Sequence, residues 1–118
     1  MYILNVDERF SAAHQLTTYK GPCENLHGHT WKLRLTVSGT DLDNAGMLID
    51  FQELKKILRD IRDQFDHRFL NEVLPFSPTS ENLARHIFEQ VRPKLPDRVH
   101  LDAITVWESD TSFVQYHD

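Results

Sequence analysis

The chain has 118 residues, 40% of them hydrophobic and 26% charged, with a formal net charge of −5 and one cysteine. That length suits one small domain with a modest core; the charge excludes a general nucleic-acid binder, which needs a basic footprint, and one cysteine excludes an internal disulfide. No stretch approaches the roughly 20 apolar residues of a membrane span, and MYILNVDERF lacks the regions of a signal peptide, so one cytoplasmic domain over residues 1–118 is expected.

Residues 2–14 place Tyr2, Leu4, Val6, Phe10, Ala12 and His14 on one parity, the pattern of a long strand ending at His14. The segment QLTTYKGPCENLHG that follows is rich in turn formers, with Gly21-Pro22 the strongest breaker, which puts Cys23 in or at the end of a loop. From 29 to 38, Trp31, Leu33, Leu35 and Val37 alternate with Lys32, Arg34, Thr36 and Ser38. This is a half-buried strand, starting around His27 or His29, that can pair with the first.

Phe51, Leu54, Ile57, Leu58, Ile61 and Phe65 then recur at three- and four-residue steps, predicting an amphipathic helix with Asp50 as its N-cap. A second helix follows SPTSEN, with Leu83, Ala84, Ile87, Phe88 and Val91 as its stripe, Ser80 as its expected cap, and Pro93 and Pro96 as stops. RVHLDAITVWES and SFVQYH read as two strands joined tightly across Asp110-Thr111. The ββααββ order predicts an α+β domain, a four-stranded antiparallel sheet with both helices on one face. The other face, carrying residues such as Tyr2, Leu4 or Leu33 depending on the side, is expected to stay partly apolar and so to favour oligomerisation.

His27 and His29 lie two apart, so an extended segment turns both imidazoles to one side, with Gly28 leaving room between them. His14, preceded by the small residues Ser11, Ala12 and Ala13, is a third candidate ligand. Three neutral imidazoles with an open fourth position form a catalytic zinc pattern, although an HxH pair also occurs in exposed strands without metal. Cys23 reads either as a small buried residue or as a thiol activated by a nearby cation. In FDHRFLN, residues 65–71, Asp66 can orient His67 for proton transfer; alternatively His67 interacts with a helix C-terminus. Glu108 is either a solvated strand-end charge or a buried carboxylate that accepts hydrogen bonds from a ligand. In PTSEN, residues 78–82, a helix N-terminus can face a ligand, though helix capping alone accounts for the motif.

Taken in order, FSAAH, CENLHGH, GMLIDF, FDHRFLN, PTSEN and WES resemble the 6-pyruvoyltetrahydropterin synthase and 6-carboxytetrahydropterin synthase family over nearly the whole chain. The resemblance implies the tunnelling fold (T-fold), in which trimers close their sheets into a barrel and two trimers stack into a hexamer, with active sites at subunit interfaces. It implies Zn2+ held by His14, His27 and His29, with Cys23 as catalytic thiol and Asp66 and His67 completing a proton-transfer triad. Glu108 becomes the anchor of the pterin's amino-pyrimidinone edge, and Thr79 and Ser80 line the pterin pocket.

Three residues separate Cys23 from His27, which resembles the bacterial carboxy-forming enzymes of queuosine biosynthesis. The implied reaction is that of a carbon-carbon lyase, taking 7,8-dihydroneopterin triphosphate to 6-carboxy-5,6,7,8-tetrahydropterin, acetaldehyde and triphosphate. The alternatives are a pyruvoyl-forming synthase and a non-catalytic zinc-binding oligomerisation module. A triphosphate substrate on a chain of net charge −5 calls for a local basic rim, for which Lys20 is a candidate.

Overall fold

The computed structural model describes residues 1–16 and 27–118, with His27 described by its backbone alone; Cys23 and Lys20 lie outside the described residues. Strand β1 (Tyr2–His14) pairs antiparallel with β2 (His27–Gly39) in unbroken register from Tyr2↔Gly39 to His14↔His27. Helix α1 (Phe51–Arg62), the two-residue strand β3 (Arg68–Phe69), the single turn α2 (Leu70–Val73), helix α3 (Ser80–Val91) and strands β4 (His100–Ser109) and β5 (Ser112–Tyr116) follow. The sheet order is β3-β1-β2-β4-β5. All pairings are antiparallel except that of β3 with β1.

The four long strands and two long helices stand where periodicity places them. Strand β3 and α2 are additions, and two rungs followed by one helical turn are too short to leave a periodic trace. The β2–β4 ladder ends at Lys32↔Trp107, so the first residues of β2 pair only with β1.

Helix α1 lies over β1, and α3 over β4 and β5. One parity of each strand therefore faces helices: Val6, Phe10, Leu33, Leu35, Ile104 and Val106 pack with Leu54, Leu58, Leu83 and Ile87 in one buried core. Burial of each large side chain contributes about 1.5–3 kcal/mol before ordering entropy is counted. Asp50 caps α1 by accepting from the Gln52 N–H. The cap of α3 differs from expectation. Thr79, not Ser80, is the N-cap, accepting from the Asn82 N–H, and Ser80 is already helical.

The expected partly apolar open face is made by other residues than those expected. Leu33 is fully buried and Leu4 packs against the core, whereas the uncovered face carries Asn5, Asp7, Lys32, Arg34 and Thr36, cross-linked by Arg34–Asp7 and Thr36–Asn5 hydrogen bonds, together with exposed Ile3 and Phe113 and the half-buried Trp107 that packs on Phe113. Period-2 alternation put every large apolar residue of β2 on one side, and both helices cover that side. The uncovered face nevertheless stays partly apolar, at Ile3, Trp107 and Phe113.

Candidate active site

The site grows from the open end of the β1–β2 ladder. The register sets His14 opposite His27 and Ala12 opposite His29. Beneath them lies Trp31, fully buried, its ring 5.0 Å from that of His14 and 4.4 Å from that of His29 in edge-on contacts. Phe10 stacks on Trp31 at 5.9 Å, giving the two imidazoles a rigid apolar floor.

His14 is itself fully buried. Its Nδ1 lies 2.8 Å from the Pro78 carbonyl oxygen, and because a carbonyl only accepts, Nδ1 carries the proton and donates it. The lone pair of the neutral ring is then at Nε2. That atom lies 3.1 Å from Glu108 Oε1. Two acceptors facing each other at that distance call for a shared cation or a second proton. The ligand atoms of His14, His29 and Glu108 all lie within 4.8 Å of one another, the one such group of three among the described residues. Two imidazoles and a carboxylate form a donor set that suits Zn2+ or another divalent transition metal, and the His27 backbone stands across the ladder from His14.

Glu108 reaches this corner because the β4–β5 register shifts between Trp107 and Ser109, a bulge that re-aims the side chain between them. Its carboxylate is about one-third exposed and also lines a cavity of about 220 Å³ with Ser80, Glu81, Ser112, Phe113 and Val114. Ser80 thus shares a cavity with Glu108. Thr79 serves as the helix cap, and Asn82 binds the Ser77 carbonyl through Nδ2, so residues 77–79 are fastened to the start of α3 with Pro78 between them.

Asp66 and His67 sit on the outer edge of β1. Asp66 Oδ1 accepts from the Ser11 N–H at 3.0 Å, the His67 N–H donates to the Ser11 carbonyl at 2.6 Å, and His67 Nδ1 is 3.1 Å from Asp66 Oδ1. The Ser11 hydrogen bond, with His67 and Arg62 nearby, holds the Asp66 carboxyl below the usual carboxylate range. His67 adopts φ 58°, in the left-handed region, and its ring is exposed. The His67 N–H bond to the Ser11 carbonyl fixes the backbone there, in a region that histidine enters more readily than most residues. His67 and His29 line one cavity of about 510 Å³ with Ser11, Ala13, Gly28 and Thr30. Cys23, the third member of the expected triad, lies outside the described residues.

The model of the 6-pyruvoyl tetrahydropterin synthase family matches residues 3–118. The chain belongs to that family. Among its relatives is a 6-carboxy-5,6,7,8-tetrahydropterin synthase of Haemophilus influenzae, 33% identical with full coverage of both chains. A dihydroneopterin monophosphate aldolase of Pyrococcus furiosus is 38% identical over 86% of this chain and 84% of its own. The solved 6-pyruvoyl tetrahydropterin synthase of Caenorhabditis elegans superposes with a TM-score of 0.78 at 29% identity, over 100% of this chain and 97% of that one. The T-fold reading of this member of the synthase family therefore stands, with five strands in place of four.

Sequence reasoning missed two parts of the site: the Pro78 carbonyl and the bulge at Glu108. Neither has a side-chain signature, since one is a backbone group and the other a register shift.

Proposed function

We propose that this chain is a zinc-dependent 6-carboxy-5,6,7,8-tetrahydropterin synthase, converting 7,8-dihydroneopterin triphosphate and water to 6-carboxytetrahydropterin, acetaldehyde and triphosphate in queuosine (7-deazaguanine) biosynthesis. The observation that carries it is the convergence of His14, His29 and Glu108 at a buried corner where the His14 lone pair faces a carboxylate. Relatives named as 6-carboxytetrahydropterin synthases support the choice of reaction.

In this reading His14, His27 and His29 hold Zn2+. Bound there, zinc supplies Lewis-acid polarisation of the oxygen atoms on the substrate side chain. Glu108 accepts hydrogen bonds from the pterin's amino and ring N–H groups, while Thr79 and Ser80 border the ring. Cys23 and His67 move protons at adjacent side-chain carbons, with Asp66 orienting His67. The whole of residues 1–118 acts as one domain, working in the cytoplasm as a trimer or a hexamer of two trimers.

A second reading has its own support. Relatives include an aldolase acting, by its name, on dihydroneopterin monophosphate and a pyruvoyl-forming synthase of Dictyostelium discoideum at 32% identity. The deciding experiment incubates zinc-loaded protein with dihydroneopterin triphosphate, and separately with the monophosphate, and identifies products by mass. Acetaldehyde with carboxytetrahydropterin is expected. A pyruvoyl product without acetaldehyde, or cleavage of the monophosphate alone, assigns the chain to the corresponding alternative. Zinc binding with no turnover of either leaves the non-catalytic zinc module.

A further inference from the structure

Along its outer edge, β1 is gripped by the segment that begins at Asp66. Ser11 is held first, its N–H by the Asp66 carboxylate and its carbonyl by the His67 N–H. The parallel rungs Ala12↔Arg68 and Ala13↔Phe69 follow. There β3 stops, because Leu70 turns the chain into α2. The edge of β1 nevertheless stays paired for one more step. Asn71 Oδ1 accepts from the Gln15 N–H at 2.9 Å, and Asn71 Nδ2 donates to the Gln15 carbonyl at 2.7 Å.

A carboxamide carries one acceptor and one donor side by side, the same pair that a strand residue offers a neighbouring backbone. Asn71 therefore replaces the strand residue that α2 has removed. Ser11 and Gln15 are four residues apart and so turn their N–H and C=O groups toward the same edge, which makes the Asn71 pair the last rung of one ladder. Gln15 follows His14 directly, and the chain then passes into the segment that contains Cys23.

We infer that Asn71 is a positioning residue of the metal corner: by clamping both backbone groups of Gln15 it holds His14 at the depth where Nδ1 meets the Pro78 carbonyl and Nε2 meets Glu108. The inference rests on the reading of His14 as a metal ligand. Without the clamp the outer edge of β1 is paired only as far as Ala13, and His14 is held from the β2 side alone, at the last step of that ladder. His14 would then exchange between ring positions, only one of which satisfies both nitrogens.

The test measures zinc affinity, by competition with a chromophoric chelator, in the parent protein, Asn71→Leu and Asn71→Ala. Asn71→Leu keeps the side-chain volume and removes both hydrogen bonds. Groups that bond a metal ligand directly are typically worth about 10–100-fold in affinity. Asn71 acts one step further out, through the Gln15 backbone, so zinc binding is expected to weaken by about tenfold, the lower end of that range, in both variants. Unchanged zinc affinity in a folded variant, with only the melting temperature lowered, overturns the inference and leaves Asn71 as scaffold.

A measurement on the parent protein serves even if neither variant folds. Coupling between two sites is reciprocal, so zinc must slow hydrogen exchange at the Gln15 amide if Asn71 and the metal act on one element. Slowing at His29 with none at Gln15 refutes the coupling. A protein that takes up no zinc sinks this inference together with the proposed function. Zinc uptake indifferent to Asn71 sinks this inference alone.

Discussion

The Pro78 carbonyl and the His14 imidazole, 64 positions apart in the chain, meet at 2.8 Å and decide which ring nitrogen keeps its proton. The decision is made by backbone, so no substitution at 78 removes the acceptor, and the tautomer is the quantity to measure. In zinc-loaded protein, 15N NMR of His14 is expected to show a protonated Nδ1 and a metal-bound Nε2. The opposite assignment would mean that the ring turns over on loading and that Pro78 has no part in orienting it.

Position 78 is held by its neighbours, so loosening them should reach the metal indirectly. Thr79→Ala removes the N-cap of α3, a loss typically worth about 1 kcal/mol, or about 4 °C in Tm for a domain of this size. Zinc affinity is expected to fall with it, since the Pro78 carbonyl loses its fixed place. Thr79→Ser keeps an acceptor hydroxyl and should restore both properties. A Thr79→Ala protein that loses stability but binds zinc as before separates the cap from the site.

How much of this could be read in the sequence follows from the range of each interaction. Alternation along Trp31 to Val37 and the three- and four-residue steps from Phe51 to Ile61 are local consequences of burying one face, and they placed the long elements directly. Strand parity put His27 and His29 on one side, and His14 was offered from the end of the neighbouring strand, but the register that sets it beside them is seen only in the fold. The Pro78 carbonyl could not, because a backbone acceptor looks the same in every sequence and its use depends on where α3 packs. Glu108 was visible as a residue but not as a neighbour of His14, since one extra residue in β4 re-aims it. Which residues line the open face was out of reach for a related reason: alternation shows that a strand has two faces but not which one the helices will cover.

Glu108 stands beside both the metal corner and the cavity at Ser80, and Glu108→Gln distinguishes its two roles. The amide keeps one acceptor oxygen but loses the charge that, in the proposed function, pairs with the pterin's N–H groups. As ring anchor, the variant should bind zinc with unchanged stoichiometry while KM rises about tenfold or more, the scale of a charge-assisted hydrogen bond. Loss of zinc in Glu108→Gln would instead make the carboxylate a ligand.

The proposed function gives the thiol and the imidazoles separable tasks. Cys23→Ala is expected to keep zinc and lose turnover, by about 10²-fold or more for a missing acid–base group. His27→Ala is expected to lose both, because its backbone stands opposite His14 at the end of the ladder. Metal analysis beside single-turnover kinetics reads the two apart. Full turnover in Cys23→Ala would remove the thiol from the chemistry.

Asp66 links the site to acid stability, and the sign can be worked out. Its folded-state pKa lies below the ordinary carboxylate value, first because it accepts from the Ser11 N–H and further because of His67 and Arg62. A depressed carboxylate pKa contributes stability that is fully present above the unfolded-state value of about 3.9 and is lost as pH falls through the folded value. Asp66→Asn keeps an acceptor for Ser11 but cannot ionise. The Tm difference between parent and variant should therefore be constant from neutrality down to about pH 5, then close steadily toward acid as the parent loses its ionised Asp66. A difference that stays constant through the acid range would show that the charge contributes nothing. Turnover at neutral pH should fall as well, because the neutral amide no longer stabilises a protonated His67 during proton transfer. A variant with full turnover but the altered acid limb would place Asp66 in the scaffold of β1 and leave His67 to act without it.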